Sequence, residues 1–449
     1  MARSSALRRC VHAFANPFLF HPALLIGALM IDTSQLTESD LSARLVPVAL
    51  GGEIMSYGFA RCFHEAYGVK TMVVSAVDVK VTSSSNLVDY RVVPAMGQGD
   101  DAIMDFLRKL GAELAAAGKV AIIFGSADWH ARILSQNKEE LSQWFAVPYN
   151  DFELLDDITQ KERFYAICEE LGIDYPKTWT FDCADPDVVI DAESFTYPLI
   201  AKPSNSARYD LMDFPGKEKV YEVQTPDDLL RIFDLLREAG YDRELVVQDF
   251  IPGDDDALRS LTTFSDASGD VRVVSGGRVV LQDHSPARIG NPMCILPERV
   301  DRIIEDAKRF CKHVGYRGFG NFDIKYDARD GSYKFFEINT RPGRNTYYVA
   351  QGGANIARLL VDEYILHREI PYQEAYGDTL YTCVPKKVIE RHVSNPELRD
   401  KVLDMYRSGH TGYPYDNPRD TFAHKLYARV TFMHQVQKFD RFMGSGKNA

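Results

Sequence analysis

Two alternating runs of polar and apolar residues, separated by a short turn, constrain the fold of this chain most. The runs are residues 320–326 and 333–341, and the segment between them contains a glycine at 331. This pattern predicts an antiparallel β-hairpin. If the hairpin is centred near Asp330, Asp323 lies directly opposite Glu337. The other face of both strands is then predicted to be buried through Phe322, Ile324, Phe336 and Ile338.

The polar face of this hairpin predicts a site for a divalent cation. Opposed side chains lie about 4.5 to 5.5 Å apart at Cβ, so the carboxylates of Asp323 and Glu337 repel unless a positive charge lies between them. The two-residue period adds Asn339 and Arg341 to the face of Glu337. Two carboxylates and an amide oxygen are hard ligands that suit Mg²⁺, which also takes nucleotide phosphates as ligands. An acidic face in contact with solvent is the alternative, but it does not explain a Glu-x-Asn-x-Arg run flanked by apolar residues and followed by Pro-Gly.

Two other predicted strands end in residues suited to a nucleotide. Residues 198–203 form an apolar strand that ends near Lys202, and a small polar loop follows at 204–208. A lysine there can act as a point charge on phosphate oxygens, and the loop can offer backbone N–H groups. The strand at 245–250 runs into a polar turn, whose main chain can contact adenine and whose carboxylates can contact ribose. A solvent-exposed lysine and an ordinary core strand are the alternatives.

The rest of the chain predicts an α/β protein of several units. An open, mostly parallel sheet is indicated by strands at 45–50, 70–75 and 120–124 and helices at 55–67 and 102–117. We also predict a helix from near Thr159, with Asp156 and Asp157 as caps, and a helix over 297–314. The predicted divisions are a leader at 1–43, a Rossmann-like domain at 44–155, a mixed α+β domain at 156–371 and an accessory extension at 372–449.

Composition argues against several classes of protein. The net charge is −12 and the Lys and Arg residues are scattered, so no basic footprint for nucleic acid is present. Seven cysteines without a Cys-x-x-Cys pair indicate neither a disulfide framework nor a zinc knuckle, and they favour a reducing cytoplasm. An apolar stretch at 17–31 is broken by His21 and two prolines, and it is short for a membrane span of about 20 residues. We therefore expect no integral membrane span.

The order of these motifs resembles the ATP-grasp superfamily of carboxylate–amine ligases. The resemblance rests on Lys202, the Val-Val-Gln-Asp-Phe-Ile-Pro-Gly-Asp-Asp run at 246–255, Asp323 and the Glu-Ile-Asn-Thr-Arg-Pro-Gly run at 337–343, and it covers residues 158–370. It implies an ATP-grasp fold of two α+β subdomains, preceded by an open Rossmann-like parallel-sheet domain, and a reaction that uses ATP and Mg²⁺. It also implies the residue roles: phosphate contacts from Lys161 and Lys202, adenine contacts from Gln248, Asp249, Phe250 and Ile251, a ribose contact from Asp255, magnesium ligands Asp323, Glu337 and Asn339, and Arg341 at the acyl-phosphate or tetrahedral intermediate, with Lys202 and Arg341 as the catalytic residues.

Shorter motifs are similar to the D-aspartate ligase branch of that superfamily. They are Tyr-Gly-Phe-Ala at 57–60, Glu-Ala-Tyr-Gly-Val at 65–69, Lys-Pro-Ser-Asn at 202–205, Phe-Pro-Gly-Lys at 214–217 and Asn-Thr-Arg-Pro-Gly-Arg-Asn at 339–345. Members of that branch attach the β-carboxylate of D-aspartate to the side-chain amine of a diamino acid in a peptidoglycan precursor. The resemblance implies an amino-acid donor and an amine acceptor as partners. ATP dependence and the cysteine usage indicate a cytoplasmic enzyme, and association with the inner membrane face is compatible with this location.

Several alternatives stay open at this point. A ligase with another amino acid or small acid as donor would keep every nucleotide contact, a phosphotransferase would release a stable phosphorylated product, and a non-catalytic nucleotide-binding protein would turn over no ATP. Asn321 stands where D-alanine ligases place an arginine, which argues against a D-alanine-type reaction. Three further candidates have either a functional or a structural role. Arg288 and Arg344 can bind a substrate carboxylate between them, and His284 can act as a base. Ser126 and Asp128 lie just beyond the end of a strand, where open α/β sheets bind ligands.

Overall fold

The computed structural model describes residues 23–26, 29–125, 127–204, 209, 212–218, 220–286 and 288–444. The predicted leader at 1–43 therefore lies outside the described residues up to residue 22. Its described part contains a two-stranded hairpin and a helix, Ala23–Ile26, Leu29–Asp32 and Glu38–Arg44. Ser126 and most of the polar loop after Lys202, residues 205–208, also lie outside the described residues.

The first large unit is a five-stranded parallel sheet. In chain order its strands are Leu45–Leu50, Thr71–Ser75, Val88–Val92, Val120–Gly125 and Phe145–Ala146. In space the order is 3-2-1-4-5, so the winding direction reverses between the first and fourth strands. The strands Leu45–Leu50 and Val120–Gly125 are near-continuous apolar runs, as expected where helices cover both faces of a parallel sheet, whereas the edge strand Val88–Val92 contains Asp89 and Arg91. The carboxyl ends of the two strands at such a reversal are a favoured place for ligands.

Five helices from this part of the described chain belong to this unit, and the first and third of them confirm the helices predicted at 55–67 and 102–117. They are Ile54–Tyr67, Lys80–Ser83, Asp100–Ala116, Asp128–Gln136 and Lys138–Leu141. The first of them ends at Gly68, whose φ of 70° is the left-handed conformation that glycine adopts readily at a helix end. Two later helices, Tyr347–Gln351 and Ile356–Tyr364, add Val349, Ile356 and Leu360 to the core of the same unit.

A small antiparallel sheet follows in the middle of the chain. Its four strands, in spatial order, are Tyr221–Val223, Leu199–Pro203, Glu244–Asp249 and Thr178–Asp182. The helix Pro226–Glu238 shares a core with this sheet through Leu229 and Phe233. The Thr225 side chain caps this helix by accepting a hydrogen bond from the Asp228 N–H.

The second large unit is an eight-stranded mixed sheet. Seven strands lie in the order Ser332–Asn339, Gly318–Asp327, Leu258–Ser265, Val271–Gln282, Pro292–Pro297, Leu380–Thr382 and Thr411–Gly412, and Gln373–Glu374 pairs beside the fourth. The helices Lys161–Leu171 and Asp301–Val314 share its core through Phe164, Ile304 and Phe310. Strands beyond residue 371 thus pair within this sheet, while the division of the chain into domains stays a prediction.

The hairpin at the edge of this sheet confirms one prediction and corrects another. Asp323 lies opposite Glu337, as predicted. However, a β-bulge follows, because Ile324 pairs with Phe335 and leaves Phe336 as the extra residue. Phe335 is therefore the fully buried aromatic residue of this strand, and the prediction that Phe336 is buried in the core was wrong.

Two predicted helix starts also differ from the structure. Asp156 and Asp157 lie inside a separate helix, Phe152–Thr159, so neither is a cap of Lys161–Leu171. Gln160 has extended backbone angles and separates the two helices. Asp157 forms an ion pair with Arg163, which lies in the second helix. The helix predicted over 297–314 begins only at Asp301 because Pro297 still belongs to a strand.

The last part of the chain forms Lys386–His392, Pro396–Ser408 and the long helix Phe422–Phe442, which we call the C-terminal helix. No described helix has the length and apolar character needed to cross a membrane. A buried polar cluster ties this part to the first sheet's unit. Its centre is the Asp420 carboxylate, which accepts hydrogen bonds from Tyr57 Oη at 2.8 Å, Ser85 Oγ at 2.6 Å and the Asn86 N–H at 2.9 Å.

We expect Asp420→Ala to loosen the C-terminal helix. The change strands several buried donors, which costs about 3 kcal/mol, so amides of this helix should exchange about 100-fold faster. Burial opposes the charge, but hydrogen bonds from Ser85 and Asn86 hold the pKa of Asp420 below its usual value. The contribution is thus complete above a pH of about 3.9 and is lost as the pH falls through the lower folded-state pKa. Hydrogen exchange by mass spectrometry measures the effect, with the exposed Asp416→Ala as control; equal exchange in both variants would contradict it.

Candidate active site

A cleft of about 700 Å³ lies where the small sheet, the large sheet and the last part of the chain meet. Five of the eleven residues to which the resemblance assigns roles line it: Lys161, Lys202, Asp255, Asp323 and Glu337. The candidate base His284 lines it as well. The other six residues with assigned roles are not part of this lining: Gln248, Asp249, Phe250, Ile251, Asn339 and Arg341. The structure thus gathers both predicted phosphate-contacting lysines and two of the three predicted metal ligands in one cavity. Asn339 is the last residue of the strand that carries Glu337, and Arg341 lies two residues beyond the end of that strand.

The carboxylates of the hairpin are in electrostatic conflict with each other. Burial and the neighbouring charge of Glu337 raise the pKa of Asp323 above its usual value. Burial also opposes the charge on Glu337, but the ammonium group of Lys161 holds the pKa of Glu337 below its usual range. Lys161 Nζ lies 3.0 Å from Glu337 Oε2. A further cation next to Asp323 would remove the remaining conflict.

The residues at this point fit a magnesium ion. Asn339 Nδ2 donates to Asp323 Oδ2 at 3.0 Å, so the amide and the carboxylate are immediate neighbours. Glu337 lies across the ladder from Asp323, which completes a set of two carboxylates and one amide. Hard oxygen donors of this kind match the ligand preference of Mg²⁺. In the described part of the chain, no group of three or more His, Cys, Asp and Glu side chains is placed to hold a metal ion, so the fit here depends on the amide of Asn339 as the third ligand.

Two lysines next to these carboxylates make the same part of the cleft suitable for an anion. Lys202 reaches it from the strand Leu199–Pro203, and Lys161 from the first turn of its helix. Burial and the positive charge of Lys161 lower the pKa of Lys202 to about 7. Lys202 Nζ also donates to Gln248 Oε1 at 3.4 Å. A bound polyphosphate would compensate both ammonium charges, which this site otherwise forces together.

A second polar site lies at the reversal point of the parallel sheet. Glu53 follows the first strand and forms ion pairs with Arg344 and, at 3.7 Å, with Arg288. Asp128 follows the fourth strand, and its Oδ1 accepts from Arg341 Nε at 2.6 Å. Arg341 Nη2 also donates to Asn339 Oδ1 at 3.3 Å. We call Asp323, Glu337 and Asn339 the metal-type site. The end of the hairpin therefore connects the metal-type site to the edge of the first sheet at which the carboxyl ends of its strands lie.

Comparison with known proteins identifies the family of the chain that carries these two sites. Residues 266–351 match the family model described as "Carbamoyl-phosphate synthase L chain, ATP binding domain". Across almost the whole chain, the "D-aspartate ligase" of Enterococcus faecium (strain Aus0004) is 32% identical over 412 residues, which are 88% of this chain and 96% of that protein. The chain belongs to the D-aspartate ligase family. It is an ATP-dependent ligase that forms a carbon–nitrogen bond.

Solved structures place this D-aspartate ligase family member in the ATP-grasp fold, with a Rossmann-like sheet before it. An L-amino acid ligase from Bacillus licheniformis superposes with a TM-score of 0.51 at 15% identity, covering 72% of this chain and 74% of that one. The biotin carboxylase domain of a Hydrogenobacter thermophilus 2-oxoglutarate carboxylase, solved with MgADP, gives 0.52 at 14% identity, covering 74% and 72%. These likenesses show the fold, and MgADP is a ligand of the second protein.

In this D-aspartate ligase family member, two side chains of the segment predicted to line adenine are already bound to other residues of the chain. Gln248 is buried, and its Nε2 donates to Tyr165 Oη and Thr178 Oγ1, both at 2.8 Å. Asp249 forms an ion pair with Arg329 at 2.8 Å. Lys325 lies over the ring of Phe250, and Ile251 is buried. The contact of residues 248–251 with adenine stays a prediction, and Gln248 and Asp249 have only their main chain left to offer a base.

Asp255 lines the cleft, but its carboxylate already has three partners. It accepts from the Gln282 N–H at 2.9 Å, from Gln282 Nε2 at 2.8 Å and lies 2.8 Å from His284 Nε2. The bond to Asp255 is also the main cause that raises the pKa of His284. His284 is therefore bound to a carboxylate, which favours its structural role over that of a base. A ribose contact by Asp255 stays a prediction.

Sequence reasoning did not single out many of the residues that line the cleft, and Phe336, Lys325 and residues 392–395 are among them. Phe336 turns into it because of the β-bulge, and Lys325 lies on the neighbouring strand. The bulge accompanies a turn at residues 328–331 whose centre, between 329 and 330, lies half a residue before the centre that the Asp323–Glu337 pairing requires. Residues 392–395 also line the cleft, although no motif in the last part of the chain pointed to this.

Proposed function

We propose that this enzyme activates the β-carboxylate of D-aspartate with ATP and joins it to the side-chain amine of a diamino acid in a peptidoglycan precursor. The observation that carries the proposal is the 32% identity to a D-aspartate ligase along 96% of that protein's length. The match includes both sheets, so it spans the nucleotide cleft and the second polar site together. A proposal based on the nucleotide cleft alone would not distinguish one donor from another.

In this proposal the cleft binds ATP. Lys161 and Lys202 would contact the phosphates, and the ring of Phe336 would offer apolar surface to the base. Asp323, Glu337 and Asn339 would hold Mg²⁺, which when bound supplies charge neutralisation at the phosphate oxygens. Asp255 and the main chain of residues 248–251 would contact the nucleoside. Lys202 gains most from the triphosphate, because the anion restores the charge that burial and Lys161 oppose.

The reaction would have two steps. A carboxylate oxygen of the donor attacks the γ-phosphorus of ATP, the new oxygen–phosphorus bond forms and ADP leaves. The amine of the acceptor then attacks the carbonyl carbon of the acyl-phosphate, inorganic phosphate leaves and the nitrogen loses one proton. The guanidinium of Arg341 would donate hydrogen bonds to the oxygen that becomes negative in the second step. Its position beside Asn339 places it next to the metal-type site.

The second polar site would hold the rest of the donor. D-aspartate carries an ammonium and a second carboxylate besides the group that reacts. Glu53 offers a carboxylate for the ammonium, and Arg288 and Arg344 offer guanidinium groups for the carboxylate. These residues lie at the reversal point of a 3-2-1-4-5 sheet, where open α/β sheets bind ligands.

Trapping the activated donor tests the proposal. Purified protein is incubated with Mg-ATP and hydroxylamine and with a panel of D- and L-amino acids, and we expect phosphate release and a hydroxamate with D-aspartate. A phosphotransferase would instead give a phosphorylated product that survives hydroxylamine. A hydroxamate with another acid and none with D-aspartate contradicts the donor but keeps the reaction class.

The acceptor needs a separate experiment. A precursor peptide with a free side-chain amine on its diamino acid is compared with the same peptide acetylated at that amine. We expect D-aspartate-dependent ADP formation and a new amide only with the free amine. Equal turnover with the acetylated peptide would contradict the proposed acceptor.

A further inference from the structure

The C-terminal helix carries an exposed apolar stripe that the fold does not use. In the described part of the chain, fourteen large apolar side chains are strongly exposed, and six of them lie on this one helix. Four follow each other at intervals of four, four and three residues, which places them on one face. They are Phe422, Leu426, Val430 and Met433, with exposed fractions of 80%, 50%, 55% and 51%.

The inward side of this helix is already packed. His424, Ala428 and Phe439 are buried, and the two ring nitrogens of His424 lie 2.6 and 2.8 Å from the backbone oxygens of Val81 and Tyr415. The helix is therefore held in one orientation by its buried face. Because that face supplies the packing, the outward stripe adds nothing to the core of the chain that the structure describes.

Basic side chains border the stripe on both sides. At 100° per residue, Lys425 and Arg429 lie along one side of it, and His434 and Arg441 along the other. Neither Lys425 nor Arg429 forms an ion pair with a carboxylate among the residues described by the structure. The helix has one acidic residue, Asp440, and Arg391 neutralises it. The C-terminal helix therefore has a net positive charge, whereas the whole chain has a net charge of −12.

We propose that the stripe docks the enzyme on an anionic lipid surface, with the C-terminal helix lying in the plane of the membrane. In this arrangement the apolar residues of the stripe contact the acyl chains of the lipids. The basic residues on both sides of the stripe contact the anionic head groups. A second copy of the chain fits less well, because two such stripes in contact would bring like charges together at their borders.

Docking in this way would also orient the cleft. Met443, directly after the helix, lines the cleft, while Phe422 begins the stripe 21 residues earlier. A helix of that length spans about 31 Å. The stripe and the rim of the cleft are therefore the two ends of one rigid element. This inference goes beyond the proposed function and does not depend on the identity of the donor or of the acceptor.

Flotation of the full chain with vesicles tests the docking surface. We expect binding to vesicles of phosphatidylcholine with phosphatidylglycerol, little binding to phosphatidylcholine alone, and release by salt. The triple variant Leu426→Gln, Val430→Gln and Met433→Gln should bind at least about tenfold less. A matched triple variant changes exposed apolar residues on other elements and should bind as the unchanged chain does: Val92→Gln, Val189→Gln and Leu230→Gln.

Two further measurements distinguish a lipid surface from a second copy of the chain as the binding partner of the stripe. The double variant Lys425→Gln and Arg429→Gln should lose binding to anionic vesicles, and the stripe variant should form hydroxamate at the unchanged rate. Sedimentation velocity detects self-association. Absence of vesicle binding by the full chain, equal binding by the stripe variant, or a dimer that only the stripe variant dissolves would each overturn the proposal. Failure of the D-aspartate assay leaves the vesicle result standing, so the two proposals fail separately.

Discussion

Arg341→Ala lowers kcat by about 10²- to 10³-fold and leaves the Kd for ATP nearly unchanged. The reason is the position of the guanidinium group. It contacts Asp128 and Asn339 and is not part of the lining of the nucleotide cleft, so its loss removes a donor to the developing oxyanion and no contact to ATP. Steady-state rates of phosphate release and calorimetric titration with ATP measure the two quantities.

A matched variant separates this role from a structural one. Asp128→Asn removes the charge that Arg341 pairs with but keeps the guanidinium, so we expect at most a several-fold change in kcat. Arg272→Ala, which breaks a similar ion pair with Asp266 away from the cleft, should leave kcat unchanged. The proposed role of Arg341 is untenable if the alanine variant keeps its kcat, or if ATP binding weakens by the same factor as kcat falls.

Glu337→Gln abolishes the effect of Mg²⁺ on nucleotide binding. The change removes one of two carboxylates from the metal-type site and the ion partner of Lys161. We expect the affinity for ADP in the presence of Mg²⁺ to fall at least about 100-fold, while affinity without Mg²⁺ changes little. Titration of ADP with and without Mg²⁺ measures this and needs no turnover.

The hairpin itself offers a control for this experiment. Asp330→Asn removes a carboxylate from the turn, where Asp330 contacts Ser332 and Lys334 and not the cleft. Magnesium should strengthen ADP binding to this variant as it does in the unchanged protein. If Glu337→Gln also keeps the full magnesium effect, the assignment of Asp323, Glu337 and Asn339 as metal ligands is wrong.

The sequence determined the features that depend on local periodicity. Alternation over 320–326 and 333–341 was sufficient to oppose Asp323 and Glu337, because a short turn sets the register and the two-residue period sets the face. Continuous apolar runs at 45–50 and 120–124 likewise predicted buried parallel strands, since helices must cover both faces of such a sheet.

Only the tertiary structure decided what depends on contacts between distant segments. The bulge that turns Phe336 into the cleft, the pairing of Arg341 with Asp128 across 213 residues, and the part of residues 392–395 in the cleft have no period in the sequence. The outward orientation of the stripe on the C-terminal helix is of the same kind, because that helix is apolar on two faces. Which face is buried depends on the surface that packs against it, and local sequence does not contain that surface.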